Sequence, residues 1–359
     1  MLIKKIYLED FRSYAKKQFK FDPAVTLVVG PNTVGKSNLF EAIFLLAFGS
    51  SPWAGLDREM VRSGAKLGFA RATVSSDGGK DQDSSVELEV VLTESGKRFR
   101  VNGVGRRLAD FSRYFHVVLF SPQDLNLVTG SPDLRRRFLD FALGSVDSGY
   151  ARATREYDKV RKSRNRLLER INKDRASEEE LGFWDAKLLE FGTFLQDERK
   201  KFFDEINKEL GSEDLELKYI LSGLTAERLL ELRPREIAAE TSLVGPHRDD
   251  FGFISIQHTA NGEQQERDLA KYGSRSEQRR AVLALKEAEL EFVEKKIGER
   301  PVLLLDDIFS ELDEENRAKV SELFGGSLSA DRQGQVIITT ADIHYIPKAL
   351  QKHLEIIKL

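Results

Sequence analysis

Gly30-Pro31-Asn32-Thr33-Val34-Gly35-Lys36-Ser37 has the residue types and spacing of a phosphate-binding loop, GxxxxGK[ST]. Phosphate oxygens need several convergent N–H donors. A loop wrapped on a helix N-terminus supplies them, and the helix dipole adds partial positive charge. In such a loop Lys36 would reach the β- and γ-phosphates, and the Ser37 hydroxyl would hold Mg²⁺. Gly30, Asn32, Thr33, Val34, Gly35 and Asn38 complete the candidate nucleotide contacts. Arg12, just upstream, either reaches a phosphate or is a solvated hairpin arginine.

A second polar set stands late in the chain. Residues 301–305 (PVLLL) are apolar at successive positions, as in a strand covered on both faces of a parallel sheet, and they run into Asp306 and Asp307. Ligands bind outside the carboxyl ends of such strands. Asp306 is the better partner for the cation begun by Ser37, because Mg²⁺ takes oxygen ligands and keeps waters. Asp307 is placed to polarise an attacking water; the competing reading is a capping Asp-Asp turn. Gln123 follows another buried-type strand, residues 116–120, where its amide can touch the cation or that water. Ahead of the carboxylates, Ser274 and Glu277 form a capping box opening a long amphipathic helix to about residue 297. The same helix end with a free hydroxyl is an anion site. The chain then owns two phosphate-binding helix ends, and if the second serves a neighbouring copy's nucleotide, ATP joins two subunits.

These groups need a strand–loop–helix around the loop. Residues 26–29 are apolar, and Leu39, Ile43, Leu46 and Ala47 recur at helical spacing. Residues 2–8 and 19–21 read as an N-terminal hairpin, residues 70–101 as β-rich with turns at Asp77-Gly78-Gly79 and Asn102-Gly103, and 336–340 as a further core strand. Lys97, Arg98, Arg100, Arg106 and Arg107 form a basic cluster that is either phosphate-contacting or solvated. From 133 to 211 the chain turns charged and helical. Tyr150, Tyr157, Arg164 and Ile171 interleave with Ala153, Val160 and Leu167; after a Ser177/Glu180 capping box, Leu181, Leu188, Leu195 and Phe202 repeat every seven residues. This predicts a short antiparallel helical arm. Its residues 133–175 carry thirteen Lys/Arg against seven Asp/Glu, the best local basic surplus in the chain. Residues 215–221 return to strand, 225–240 to helix, and Gly245-Pro246-His247-Arg248-Asp249-Asp250 to a turn before strand 251–257. His247 there reads as a hydrogen-bonded turn residue and not as a catalyst.

At 359 residues the chain holds two or three units: 1–132, 133–240 and 241–359, the outer two forming an α/β head. Net charge is −3, so no global basic field advertises nucleic acid. Cysteine is absent, which removes disulfides, thiolate zinc and a cysteine nucleophile and suits a reducing cytoplasm. No apolar run approaches a membrane span, and the N-terminus reads as a strand and not a signal peptide.

Together the segments resemble the ABC-type ATPase heads of the SMC class, and within it the RecF family of bacterial recombination mediators. The resemblance rests on FRSY, GPNTVGKSN, SPQDLNLVTGSPDLRRRFLD, GPHRDD, the SRSEQRR helix with LALKEAE, and LLLDDIFSELD, in family order. It implies an ABC-type P-loop head, with a mixed sheet and a β-rich subdomain, carrying an inserted helical lobe. It makes Lys36 and Ser37 Walker A, Gln123 the Q-loop, and Ser274, Ser276 and Gln278 the signature offered in trans. Asp306 becomes Walker B, Asp313 the D-loop, and Asp307 the catalytic carboxylate. It further implies ATP with Mg²⁺, an ATP-dependent homodimer, slow hydrolysis, duplex or gapped DNA as partner, and RecR with RecA loading. Thr33 replaces a glycine usual in this loop, Ser276 replaces the usual signature glycine, and Thr340 stands where transporter ATPases carry a switch histidine. Alternative functions are the energy-coupling subunit of a transporter and a small-molecule phosphotransferase.

Overall fold

Continuous apolar runs bury strands on both faces, and alternating runs leave one face wet; this chain uses both, in different sheets. The computed structural model describes residues 1–21, 25–76, 85–210, 214–258, 264–325, 334–347, 351 and 354–359. The expected turn at Asp77-Gly78-Gly79 lies outside the described residues. The chain divides into Met1–Leu125 with Val282–Leu359, and Asn126–Ala281.

In the first unit, five parallel strands stand in the order Leu354–Lys358, Val25–Val29, Val336–Thr340, Val302–Asp306, Val117–Phe120. The Val302–Asp306 and Val336–Thr340 strands are buried at every position. The helix Lys36–Phe48 is apolar around most of its circumference and almost wholly buried, so it is a core helix and not a half-wet one. Gly49, at φ 65°, ends it with its N–H on the Leu45 carbonyl. The second sheet is antiparallel, in the order Tyr14–Lys20, Leu2–Phe11, Leu67–Ser75, Ser85–Thr93, Gly96–Val101, Val104–Arg106. Asn102 and Gly103 both have positive φ and join its last hairpin, as their types predict.

In the second unit, Ser148–Asn172 and Leu181–Glu209 pack antiparallel: Arg164 meets Asp185 near the turn, and Tyr150 meets Arg199 toward the other end. The heptad residues Tyr150, Tyr157, Val160, Leu167, Leu188, Leu195 and Phe202 are buried as spaced. The hairpin does not stand alone in this unit. A third helix, Ala226–Ala238, covers it: Ile237 packs on the Leu167, Leu168 and Leu181 cluster, and Glu236 reaches Arg164. Arg164 is fully buried, and its guanidinium bonds Asp185, Ser242 and Glu236 at 2.7, 3.0 and 2.6 Å. Losing one carboxylate there would strand a buried charge at a cost of about 3–5 kcal/mol. The hairpin is thus part of a three-helix packing in which both the second and the third helix supply a carboxylate to Arg164.

The other end of the hairpin meets a three-stranded antiparallel sheet, Gln264–Asp268, Asp250–His258 and Leu215–Ile220, through Phe202, Phe203, Tyr219 and Phe251, with Phe138 of the preceding helix Pro132–Val146 packed against Phe202 and Phe251. Asp249 is wholly buried and accepts from Gln196, Arg199, Tyr219 and the Ser222 N–H. His247 hydrogen-bonds the Tyr157 hydroxyl through Nδ1 (2.8 Å) and the Ser242 carbonyl through Nε2 (3.0 Å). The carbonyl only accepts, so Nε2 carries the proton and Nδ1 accepts from Tyr157. This neutral ring is a hydrogen-bonded turn residue. Burial above all, then Arg161, Arg248 and Arg136, push its pKa down to about 4. A base lowered on folding stabilises the fold fully above the unfolded value, near 6.5, and loses that contribution as pH falls through 4. Chemical denaturation between pH 7 and 4 should show about 3 kcal/mol of acid loss that His247→Asn lacks; equal acid slopes in the two proteins would refute the assignment.

Candidate functional site

The phosphate-loop residues follow the Val25–Val29 strand and close onto the start of the Lys36–Phe48 helix. Gly35 sits at φ 115°, and a Cβ there would meet Ser13 Oγ and the Tyr14 hydroxyl at 2.9 Å, so the position admits glycine alone. The Tyr14 hydroxyl donates to the Gly35 carbonyl (3.0 Å), and burial pushes its pKa up to about 12, keeping it a donor. Thr33 has φ 74°, a left-handed conformation that costs a β-branched residue about 1–2 kcal/mol and explains why glycine is the usual choice there. Lys36 Nζ donates to the carbonyls of Gly30 (2.6 Å) and Pro31 (3.0 Å) and, at 3.5 Å, approaches Asn32 Oδ1. The ammonium therefore lies over the loop it would share with a phosphate. Asn38 Nδ2 donates to Ser13 Oγ (2.9 Å), which ties the helix start to the N-terminal hairpin.

The parallel register puts Asp306 beside Thr339 on the neighbouring strand. Thr339 Oγ1 donates to Asp306 Oδ1 (2.6 Å) and accepts from the Asp307 N–H (3.0 Å). Ser37 Oγ lies 3.4 Å from the same Asp306 oxygen. Burial first of all raises the Asp306 pKa, with hydrogen bonds from Thr339 and Ser37 opposing it. Asp307 holds a left-handed φ of 49°, and its Oδ1 is buried without a hydrogen-bond partner. A buried carboxylate oxygen left in that state calls for a ligand, a water or an ion. Among the described residues no group of three or more His, Cys, Asp or Glu could hold a metal. Mg²⁺ binds through few carboxylates and keeps waters and phosphate oxygens in its shell, so a site offering Ser37 and Asp306 suits it. The oxygen set fits that ion. Gln123 is exposed in the loop after Val117–Phe120, the strand next to Val302–Asp306.

Arg12 is engaged within the protein. Its guanidinium grips Glu41 through two 2.6 Å bonds and donates to the Glu59 carbonyl, so it braces the Lys36–Phe48 helix. Asp313 caps the Glu314–Gly325 helix, accepting from the Asn316 N–H (2.9 Å) and Nδ2 (3.0 Å).

The second helix end belongs to the other unit. Ser274 and Ser276 are exposed. The Ser274 N–H donates to Glu277 Oε2 (2.7 Å) and the Glu277 N–H to Ser274 Oγ (3.3 Å), the predicted capping box. The Ser274 N–H, then its hydroxyl and Arg267, hold the Glu277 pKa down to about 2. The Gln278 amide donates to the carbonyls of Leu269 and Gly273, fixing the turn before the helix.

Residues 2–358 match the RecF/RecN/SMC N terminal domain family. A DNA replication and repair protein RecF from Herpetosiphon aurantiacus is 34% identical over 377 residues, covering 96% of this chain and 94% of that protein. The chain belongs to the RecF family. A solved structure described as the recombination mediator protein RecF with ATPrS in the RecFOR pathway superposes at a TM-score of 0.83 and 29% identity, covering 96% of this chain and 94% of that one. An Smc head bound to the C-winged helix domain of ScpA superposes at a TM-score of 0.54 and 17% identity, a likeness of fold alone. The RecF-type ABC/SMC head expected from the motifs is the observed fold.

Thr339 and Tyr14 were not among the sequence candidates, although the hydroxyls closing the 336–340 strand were visible. Thr339 acts on the site through both carboxylates. Thr339→Val should keep the fold and lower Mg²⁺-dependent nucleotide hydrolysis at least ~10-fold, since a hydrogen bond to a charged group contributes about 1.5–3 kcal/mol. Unchanged hydrolysis, with folding verified by thermal melting, would remove Thr339 from the site.

Proposed function

We propose that this RecF-family chain is an ATP-gated DNA-binding protein of recombinational repair. The reading is carried by one observation: Ser37, Asp306, Thr339 and Asp307 converge at the sheet edge, and Asp307 leaves a buried oxygen without a partner. Relatives described as RecF with ATPrS and RecF with ATP support it.

In this reading Gly30, Asn32, Thr33, Val34, Gly35 and Asn38 shape the loop, and its N–H groups cradle the phosphates. Lys36 leaves the Gly30 and Pro31 carbonyls for the γ-phosphate. Ser37, Asp306 and Gln123 hold Mg²⁺, which supplies charge neutralisation at the phosphates when bound. Asp307 and Gln123 orient the attacking water; phosphoryl transfer needs placement and charge more than covalent chemistry. The Ser274 end of a second copy, with Ser276, Gln278 and the D-loop Asp313, closes over the same nucleotide. ATP then joins two heads around duplex DNA near a single-strand gap, and slow, DNA-stimulated hydrolysis releases them. RecR as partner, RecA loading as output, and action in the cytoplasm at the nucleoid enter by family resemblance. Among the described residues no helix is long and apolar enough to cross a membrane.

Light scattering with and without ATP tests the reading. The wild-type mass should double with ATP; Lys36→Ala should bind no nucleotide, and Ser274→Arg should bind nucleotide yet stay monomeric. One mass for the wild type in both conditions would contradict ATP-driven pairing.

A further inference from the structure

In residues 133–175 six of the thirteen Lys/Arg are held in ion pairs, four of them with acids of the same stretch. Arg135, Arg136, Lys159, Arg161, Arg164 and Lys173 all have carboxylate partners. The smaller cluster at the end of the antiparallel sheet behaves differently. Lys97 pairs with Asp57 (2.7 Å) and Arg100 with Glu89 (3.0 Å). Arg106, Arg107 and Arg113 are exposed and have no ion-pair partner among the described residues.

Arg106 stands on the terminal strand Val104–Arg106, opposite Phe99, and so on the same face as that ring. Phe99 packs on Phe111 at 5.1 Å between centroids, and Phe111 and Phe115 are fully buried. These two anchors pin the segment between them and turn Arg113 and Tyr114 outward. Arg106, Asp110, Arg113 and Tyr114 line a cavity of about 570 Å³, within the range of small-ligand sites. Tyr114 is 41% exposed there.

We propose that this cavity is a subsite for an unpaired nucleotide of single-stranded DNA. Arg106 and Arg113 meet the phosphate, because guanidinium forks match its oxygens. The open Tyr114 ring stacks the base. Asp110 repels a second anion but accepts from a base amino or imino N–H. A densely acidic peptide would use the arginines, offer nothing to the ring and be opposed by Asp110. A duplex keeps its base faces stacked, so the strand must be unpaired. The subsite rests on the DNA-binding reading above and adds where the strand at a gap is held, apart from the nucleotide loop.

Fluorescence anisotropy of labelled oligodeoxycytidylate, a duplex of the same length and a polyglutamate peptide tests it on the full chain across salt. Tyr114→Ala should weaken single-strand binding roughly 5- to 100-fold. Arg106→Gln with Arg113→Gln should lower the salt slope by about 1.4. Duplex and ATP binding should be unchanged in each variant, which also verifies folding. Single-strand binding equal in all three proteins overturns the subsite, as does loss of polyglutamate binding alone. Wild type that binds duplex but no single strand overturns the subsite and leaves the DNA reading standing; binding to neither overturns both.

Discussion

A single hydroxyl ties the site together. Thr339 Oγ1 donates to one carboxylate and accepts from the backbone of the next, so the orientations of Asp306 and Asp307 are set jointly. This works because parallel pairing is evenly registered. Val336–Thr340 lies between Val25–Val29 and Val302–Asp306, so all three strands end at one edge. The loop after the first supplies Lys36 and Ser37, and the last supplies the acids. Residues far apart in the chain thereby meet within hydrogen-bonding reach without any loop having to search for them.

The same edge holds unfavourable local features. Thr33 and Asp307 have left-handed backbones, Asp306 is a buried acid with a raised pKa, and Lys36 is a buried ammonium. Such features persist when the surrounding structure over-determines them, and they cluster where a ligand relieves them. Lys36 has found provisional acceptors in the loop carbonyls, while Asp307 Oδ1 has found none. In the proposed function a triphosphate with its cation would give partners to Lys36 and to Asp307 Oδ1 at once.

Local patterns were legible in the sequence. The phosphate loop, the Asp306-Asp307 strand end, the Ser274 and Ser177 capping boxes and the Asn102-Gly103 turn are each fixed by residues within a few positions of one another. What escaped depends on distant partners. Thr339 could be matched to Asp306 only once strand order and register were known. Arg12 read either as a phosphate ligand or as a solvated hairpin arginine, because its partner Glu41 is distant in the chain. The helical hairpin read as a short arm, since spacing reports a buried seam but not which further element packs on it. Charge counts have the same limit: they do not tell Arg135 and Arg164, paired with acids far along the chain, from Arg106 and Arg113, which face solvent.

The central claim is that a nucleotide held by the Lys36 loop of one copy is completed by the Ser274 end of another. Mixing the two inactive single variants, Lys36→Ala and Ser274→Arg, tests it most directly, because each mixed pair contains one undamaged composite site. The account predicts ATP hydrolysis in the mixture although neither variant hydrolyses alone. A silent mixture of folded proteins, or Ser274→Arg hydrolysing alone at the wild-type rate, would contradict it.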